Sequence, residues 1–129
     1  MRAAFRGLGA SPGRVDAVVA IGAEAALSAA AGGARVALFL HDSEVEDTPA
    51  IRASAALVTA SGGLTSDAAI VARALGVACV TGCTGLRVGL REGAVFDAES
   101  GAQVARDGDP VQVDGRSGEV LFSPAAAPG

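Results

Sequence analysis

The chain has 129 residues, room for one ordinary domain with one core, and half of them are apolar, with no Trp, no Tyr and only four Phe. All ten basic residues are Arg; they face fourteen acidic ones, for a formal charge of -4. A net acidic chain with scattered Arg, no block of like charge and no aromatic stacking series is a poor candidate for nonspecific nucleic-acid binding.

In chain order, residues 3 to 20 read as a short strand, a turn at Ala10-Ser11-Pro12-Gly13, and a second strand from Val15 to Ile21. Residues 22 to 31 are Ala-rich and favour a short helix, which Gly32-Gly33 ends. Arg35 to Leu40 is an apolar run of strand length. After the acidic stretch Asp42 to Asp47, Thr48 as N-cap and Pro49 at the first helical position start a helix through Ala53. Ala56 to Val58 is a further strand, followed by the loop Thr59 to Thr65.

The next helix has the clearest periodicity, with Ala68, Val71, Ala72 and Leu75 on one face. Thr65 or Ser66 caps it, Gly76 ends it, and Val77 to Thr81 is the strand beyond. Four short β runs follow: Ala94 to Asp97, Gln103 to Ala105, Pro110 to Val113 and Glu119 to Phe122. The sequence therefore reads as one α/β domain over 1–122, with an α/β half, a β-rich half and a flexible C-terminal tail over 123–129.

Several chemistries find no support. Arg14, Asp16 and Glu24 interrupt the early apolar sequence, and no segment reaches about 18 uncharged apolar residues. Neither a membrane helix nor a signal peptide is expected, and the expected location is cytoplasmic. Cys79 and Cys83 form neither a disulfide framework nor a four-ligand zinc set. They read as free core thiols, with a redox role as the lesser alternative. No metal or cofactor is expected, and without any Lys there is no nucleotide-type phosphate loop.

The loop before the third helix carries the most chemistry. Gly62-Gly63 permits positive φ or a close approach, and Thr65, Ser66 and Asp67 lie at a helix N-terminus, where free amides and the dipole favour an anion. Without further context it is a turn, a cap and a first-turn carboxylate.

The run Gly62-Gly63-Leu64-Thr65-Ser66-Asp67-Ala68-Ala69-Ile70-Val71-Ala72-Arg73 resembles the phosphohistidine signature of swivelling domains in phosphoenolpyruvate-utilising enzymes, G-G-x-T-S-H-A-A-[IV]-V-A-R. Gly9-Ala10-Ser11-Pro12-Gly13 resembles that family's opening A-S-P-G, and 76–82 its G-x-P-C-V-x-G. Residues 108–120 resemble its G-D-x-[IV]-x-[IV]-D-G-x-x-G-x-V. The acidic segment with Pro49-Ala50-Ile51 matches only loosely.

The resemblance implies a β/β/α swivelling domain that carries a phosphoryl group on histidine. In pyruvate phosphate dikinase and phosphoenolpyruvate synthase, an ATP-grasp domain and a phosphoenolpyruvate-binding barrel do the chemistry at either end. The expected partner is accordingly a protein of that kind.

Asp67 stands where the signature has its histidine. A neutral imidazole is nucleophilic and its phosphoramidate transfers readily, whereas a carboxylate repels incoming phosphate and needs a metal or charge management. The resemblance thus implies a phosphate- or partner-binding loop of Gly62, Gly63, Thr65, Ser66 and Arg73 around an inactive Asp67. That describes a degenerate, non-catalytic binding or regulatory module. The alternatives are a split phosphoryl-carrier system, with Asp67 itself as an unusual acceptor or with histidine restored at position 67. The chain's one histidine, His41, ends the Val36 to Leu40 strand and reads as an ordinary strand-end residue.

Overall fold

Two four-residue strands, β1 (Ala3–Arg6) and β2 (Leu8–Ser11), follow one another with only Gly7 between them. They nevertheless occupy opposite edges of one eight-stranded sheet. One residue spans about 3.5 Å, so the two edges must lie side by side and the sheet must curl until it nearly closes. The expected single strand is therefore two, hinged at Gly7. The chain is described by a computed structural model covering residues 3–123.

The remaining elements are β3 (Arg14–Ile21), α1 (Ala23–Ala31), β4 (Val36–Leu40), a 3-10 turn (Val45–Asp47), α2 (Thr48–Ala53), β5 (Ala56–Thr59), α3 (Asp67–Leu75) and β6 (Ala78–Thr81). Beyond them come β7 (Leu86–Gly89), β8 (Ala94–Asp97), β9 (Gln103–Arg106), β10 (Pro110–Asp114) and β11 (Glu119–Phe122). The large sheet runs β1-β11-β10-β3-β4-β5-β6-β2; β7, β8 and β9 form a small antiparallel sheet. β3 to β6 pair in parallel. β10 and β11, expected in a separate β-rich half, pair antiparallel with β3 and β1 instead.

Side-chain parity divides the core. Every residue of β4 is buried, because both faces of the strand are covered. Val36, Leu38 and Leu40 face the helices, with Leu57, Cys79, Ala68 and Ala72. Ala37 and Phe39 face the other way, with Val58, Val80, Val95 and Phe122, where the small sheet contributes. Phe39 and Phe5 each pack on Phe122, with ring centroids 5.6 and 5.9 Å away. Helices, large sheet and small sheet give the β/β/α arrangement. No helix among the described residues is long and apolar enough to cross a membrane.

Two expectations shift locally. α2 begins at Thr48 itself rather than using it as a cap. Glu44 and Asp47 cap one another across the preceding 3-10 turn, the Glu44 amide donating to Asp47 Oδ2 at 2.8 Å. That reciprocal pair satisfies the amides of Glu44 and Asp47 and leads the chain straight into α2. The expected tail over 123–129 lies outside the described residues except for Ser123, whose amide reaches the Pro110 carbonyl at 3.4 Å.

The seam between the sheet edges is closed by the β10–β11 turn. Gly7 N–H donates to Gly118 O, and Gly115 N–H to Gly13 O, each at 2.8 Å. Within this turn the Asp114 carboxylate accepts from the amides of Ser117 and Arg116, which hold it below the usual carboxylate range. A methyl at Gly115 would run into the Ser11 carbonyl and come within 2.9 Å of the Cys79 amide. Gly115→Ala should therefore cost about 3 kcal/mol, since overpacking against backbone cannot be relieved by a side-chain rotation. A lowered urea midpoint checks this; an unchanged midpoint contradicts the close seam.

Candidate functional site: the loop between β5 and α3

The site grows from the carboxyl ends of three parallel strands, the usual place for ligands on such sheets. β4, β5 and β6 end at Leu40, Thr59 and Thr81, and their loops are tied together. Ser61 donates from both its amide and its hydroxyl to His41 O, each at 2.9 Å. Ser61 O accepts from Gly82 N at 3.1 Å and from Thr59 Oγ1 at 2.8 Å. The loop after β5 is thus anchored on both sides before it reaches Gly62.

Gly62 has φ of +91°, a left-handed value that favours glycine. A Cβ there would also press on Ser66 at 3.1 Å, whereas Gly63 has open space. The Gly63 carbonyl accepts from Ser66 Oγ at 2.8 Å and from Thr81 Oγ1 at 3.2 Å. Ser66, not Thr65, caps α3: its Oγ accepts from the Ala69 amide at 3.4 Å. Gly76 closes the helix in the left-handed conformation, with φ of +71°. Thr65 is exposed on the turn.

Arg73 is the residue whose structural role was least legible. Its guanidinium donates to Leu64 O at 2.8 Å and to Ala10 O at 2.9 Å. The second acceptor exists because β2 bulges: its register against β6 shifts between Gly9 and Ser11, which leaves Ala10 outside the ladder. Arg73 therefore ties the loop, α3 and the edge strand together. These two bonds use one N–H on each terminal nitrogen of an exposed guanidinium.

Asp67 is the first residue of α3 and is exposed. Its carboxylate complements the helix dipole. The ion pairs among the described residues are Arg6–Glu119 and Arg87–Glu92, so no cation is paired with Asp67. With Glu44, Val45, Ile51, Ile70 and Val71 it lines a cleft of about 250 Å³ between the 3-10 turn, α2 and α3. Glu44, Val45 and Ile70 were not singled out in the sequence; the acidic run Asp42 to Asp47 was the available signal. Among the described residues, no three His, Cys, Asp or Glu side chains gather as a metal site. His41 lies in a different opening, of about 480 Å³, on the Gly62 and Arg87 side of the loop.

Cys79 and Cys83 are free and fully buried on opposite faces of the large sheet. Burial pushes Cys79 up to about 12, against a smaller lowering by Arg73, and pushes Cys83 up to about 11. Thiols raised in this way are poor nucleophiles near neutral pH. The stabilising effect of keeping them protonated is complete below the unfolded value of 9.0 and is lost as pH rises toward the folded values. Each pH unit in that window should remove about 1.4 kcal/mol per thiol. The chain has no Tyr and no Lys to blur the effect. Urea midpoints should fall steeply between about pH 9 and 11. The slope should flatten in a Cys79→Ala/Cys83→Ala double variant; an unchanged slope would contradict this assignment.

Comparison with known proteins agrees with this geometry. Residues 32–118 match the family described as "PEP-utilising enzyme, mobile domain". The chain is 39% identical over 116 residues to pyruvate, phosphate dikinase 2 of Zea mays, covering 90% of this chain and 13% of that protein. It is 36% identical over 115 residues to pyruvate, phosphate dikinase of Rhizobium meliloti (strain 1021), covering 89% and 12%. To the Clostridium symbiosum enzyme it is 35% identical over 113 residues, covering 88% and 13%. The chain spans about an eighth of the length of these relatives. A curled sheet with helices on one face, a glycine loop at the β5–α3 junction and a match across most of its length place the chain in the mobile-domain family of phosphoenolpyruvate-utilising enzymes.

Proposed function

We propose that this chain is a degenerate member of that family, a binding or regulatory module that presents the carrier's shape without accepting the phosphoryl group. The observation that carries this reading is Asp67, exposed at the first turn of α3 with no cationic side chain paired to it among the described residues. Forming an acyl phosphate there would bring a phosphoryl dianion onto an uncompensated carboxylate. Arg73, the nearest candidate for charge relief in the signature, is committed to two backbone carbonyls.

The shape itself is retained. Gly62, Gly63 and Ser66 keep the turn and cap, and Thr65 remains exposed. A protein partner of the ATP-grasp or phosphoenolpyruvate-barrel type is the natural occupant of such a surface. The test is incubation with radiolabelled phosphoenolpyruvate or ATP and the partner domains of a dikinase. No label is expected on the chain. A hydroxylamine-released label at Asp67 would overturn the reading.

The second reading is a phosphoryl-carrier component of a split dikinase-like system. Similarity to three dikinases over nearly the whole chain favours it. It requires either charge relief for Asp67 from the partner or a histidine at position 67.

A further inference from the structure

The cleft beside Asp67 combines features that neither the glycine loop nor the helix cap requires. Its floor is apolar, with buried Ile51 and partly buried Val71. Its rim carries Val45 and Ile70, which leave 83% and 53% of their surface exposed. Together with the apolar floor they make one contiguous apolar surface rimmed by polar residues, the pattern of an interaction site. Two carboxylates, Glu44 and Asp67, line the same cleft, and no basic side chain does.

The volume narrows the choice of occupant. About 250 Å³ lies below the roughly 300–1,000 Å³ of small-molecule sites. It suits one inserted side chain with apolar contacts beside it. A trough flanked by helices with an apolar floor suits an amphipathic helix, and the two carboxylates select a cation at its centre.

A second copy of this chain fits poorly. A twofold interface sets the same patch against itself, which would oppose Glu44 and Asp67 to their own equivalents. The Asp47 carboxylate accepts from the Glu44 amide and the Glu44 carboxylate from the Asp47 amide, so both hold their charge on that side.

We infer that this cleft docks a helical segment of a partner protein, with an arginine or lysine inserted between Glu44 and Asp67 and apolar side chains packed on Val45 and Ile70. This rests on the reading that position 67 binds rather than reacts, and it assigns Asp67 a recognition role. Asp67→Asn should weaken docking by about 1.5- to fivefold, the range for an exposed charge pair. Ile70→Arg should abolish it by filling and charging the rim. Ile70 is exposed, so that variant should fold; Ile70→Ser provides a milder second test.

The experiment is selection of short helical peptides from a displayed library on the native chain, followed by backbone-amide shift mapping. Recovered binders should carry Arg or Lys beside apolar residues, shift the amides of Val45, Ile70 and Val71, and lose affinity in all three variants. Recovery of no binders, binders without a basic residue, or shifts elsewhere would overturn the inference. Self-association abolished by Ile70→Arg would also overturn it, in favour of a second copy. Phosphorylation at Asp67 is scored separately, so label with intact peptide binding would defeat the non-catalytic reading while leaving the docking cleft in place.

Discussion

Replacing Arg73 by alanine should free the Gly62–Asp67 loop and cost about 2 kcal/mol of stability. Two charge-assisted bonds are lost, each worth about 1.5–3 kcal/mol when well shielded and less at an exposed guanidinium. The loss falls unevenly. The Leu64 carbonyl lies on an exposed turn residue and can turn to water, but Ala10 is 6% exposed and its carbonyl lies at a bulge in the edge strand. Hydrogen exchange should therefore rise at Leu64 to Ser66 and also across the bulge in β2, although the two are distant in sequence. Arg73→Lys should recover only part of the loss, because a point ammonium cannot reproduce a planar fork that serves two acceptors. An unchanged urea midpoint and unchanged exchange at both places would contradict the clamp.

Asp67→His should leave the fold intact and supply a phosphoryl acceptor. The side chain is exposed and, among the described residues, makes no hydrogen bond that shapes the loop, while Ser66 supplies the cap. The cost is the carboxylate's interaction with the helix dipole, about 0.3–1 kcal/mol. With ATP or phosphoenolpyruvate and the partner domains of a dikinase, the variant should become labelled through an acid-labile, alkali-stable bond. An imidazole is nucleophilic without a metal and does not repel the incoming group as a carboxylate does. A variant that folds but remains unlabelled would show that the loop no longer presents position 67 to a phosphoryl donor.

Local physics made much of the parallel core legible. β4 is a continuous apolar run because helices cover one face and the curled sheet covers the other. α3 follows from its four-residue apolar stripe, the Ser66 cap and the Gly76 stop. What escaped depends on contacts far apart in the chain. β1 and β2 looked like one strand because nothing local reveals that Gly7 crosses the sheet seam. β10 and β11 looked like part of a separate half because their partners, β3 and β1, lie about a hundred residues away. β7 was missed because Leu86-Arg87-Val88-Gly89 is only four residues long, so Leu86 and Val88 alternate too briefly to stand out from the turns around them.

The site divides in the same way. Gly62, Gly63, Ser66 and Asp67 are contiguous, so a resemblance in one stretch pointed to all of them. Arg73 read from the sequence as facing a phosphate, a partner or solvent, and its position says nothing of the bulged carbonyl at Ala10. Glu44 and Val45 share the Asp67 cleft through tertiary proximity that no local pattern shows, in a turn whose own shape the mutual caps of Glu44 and Asp47 hold.

The separation of shape from chemistry at position 67 is tested most directly by intact mass measurement of the native chain and Asp67→His, each treated with the same phosphoryl donor and dikinase partner domains. The account predicts an unmodified native chain beside a variant carrying one phosphoryl group. A phosphoryl group on the native chain, mapped to Asp67, would contradict it.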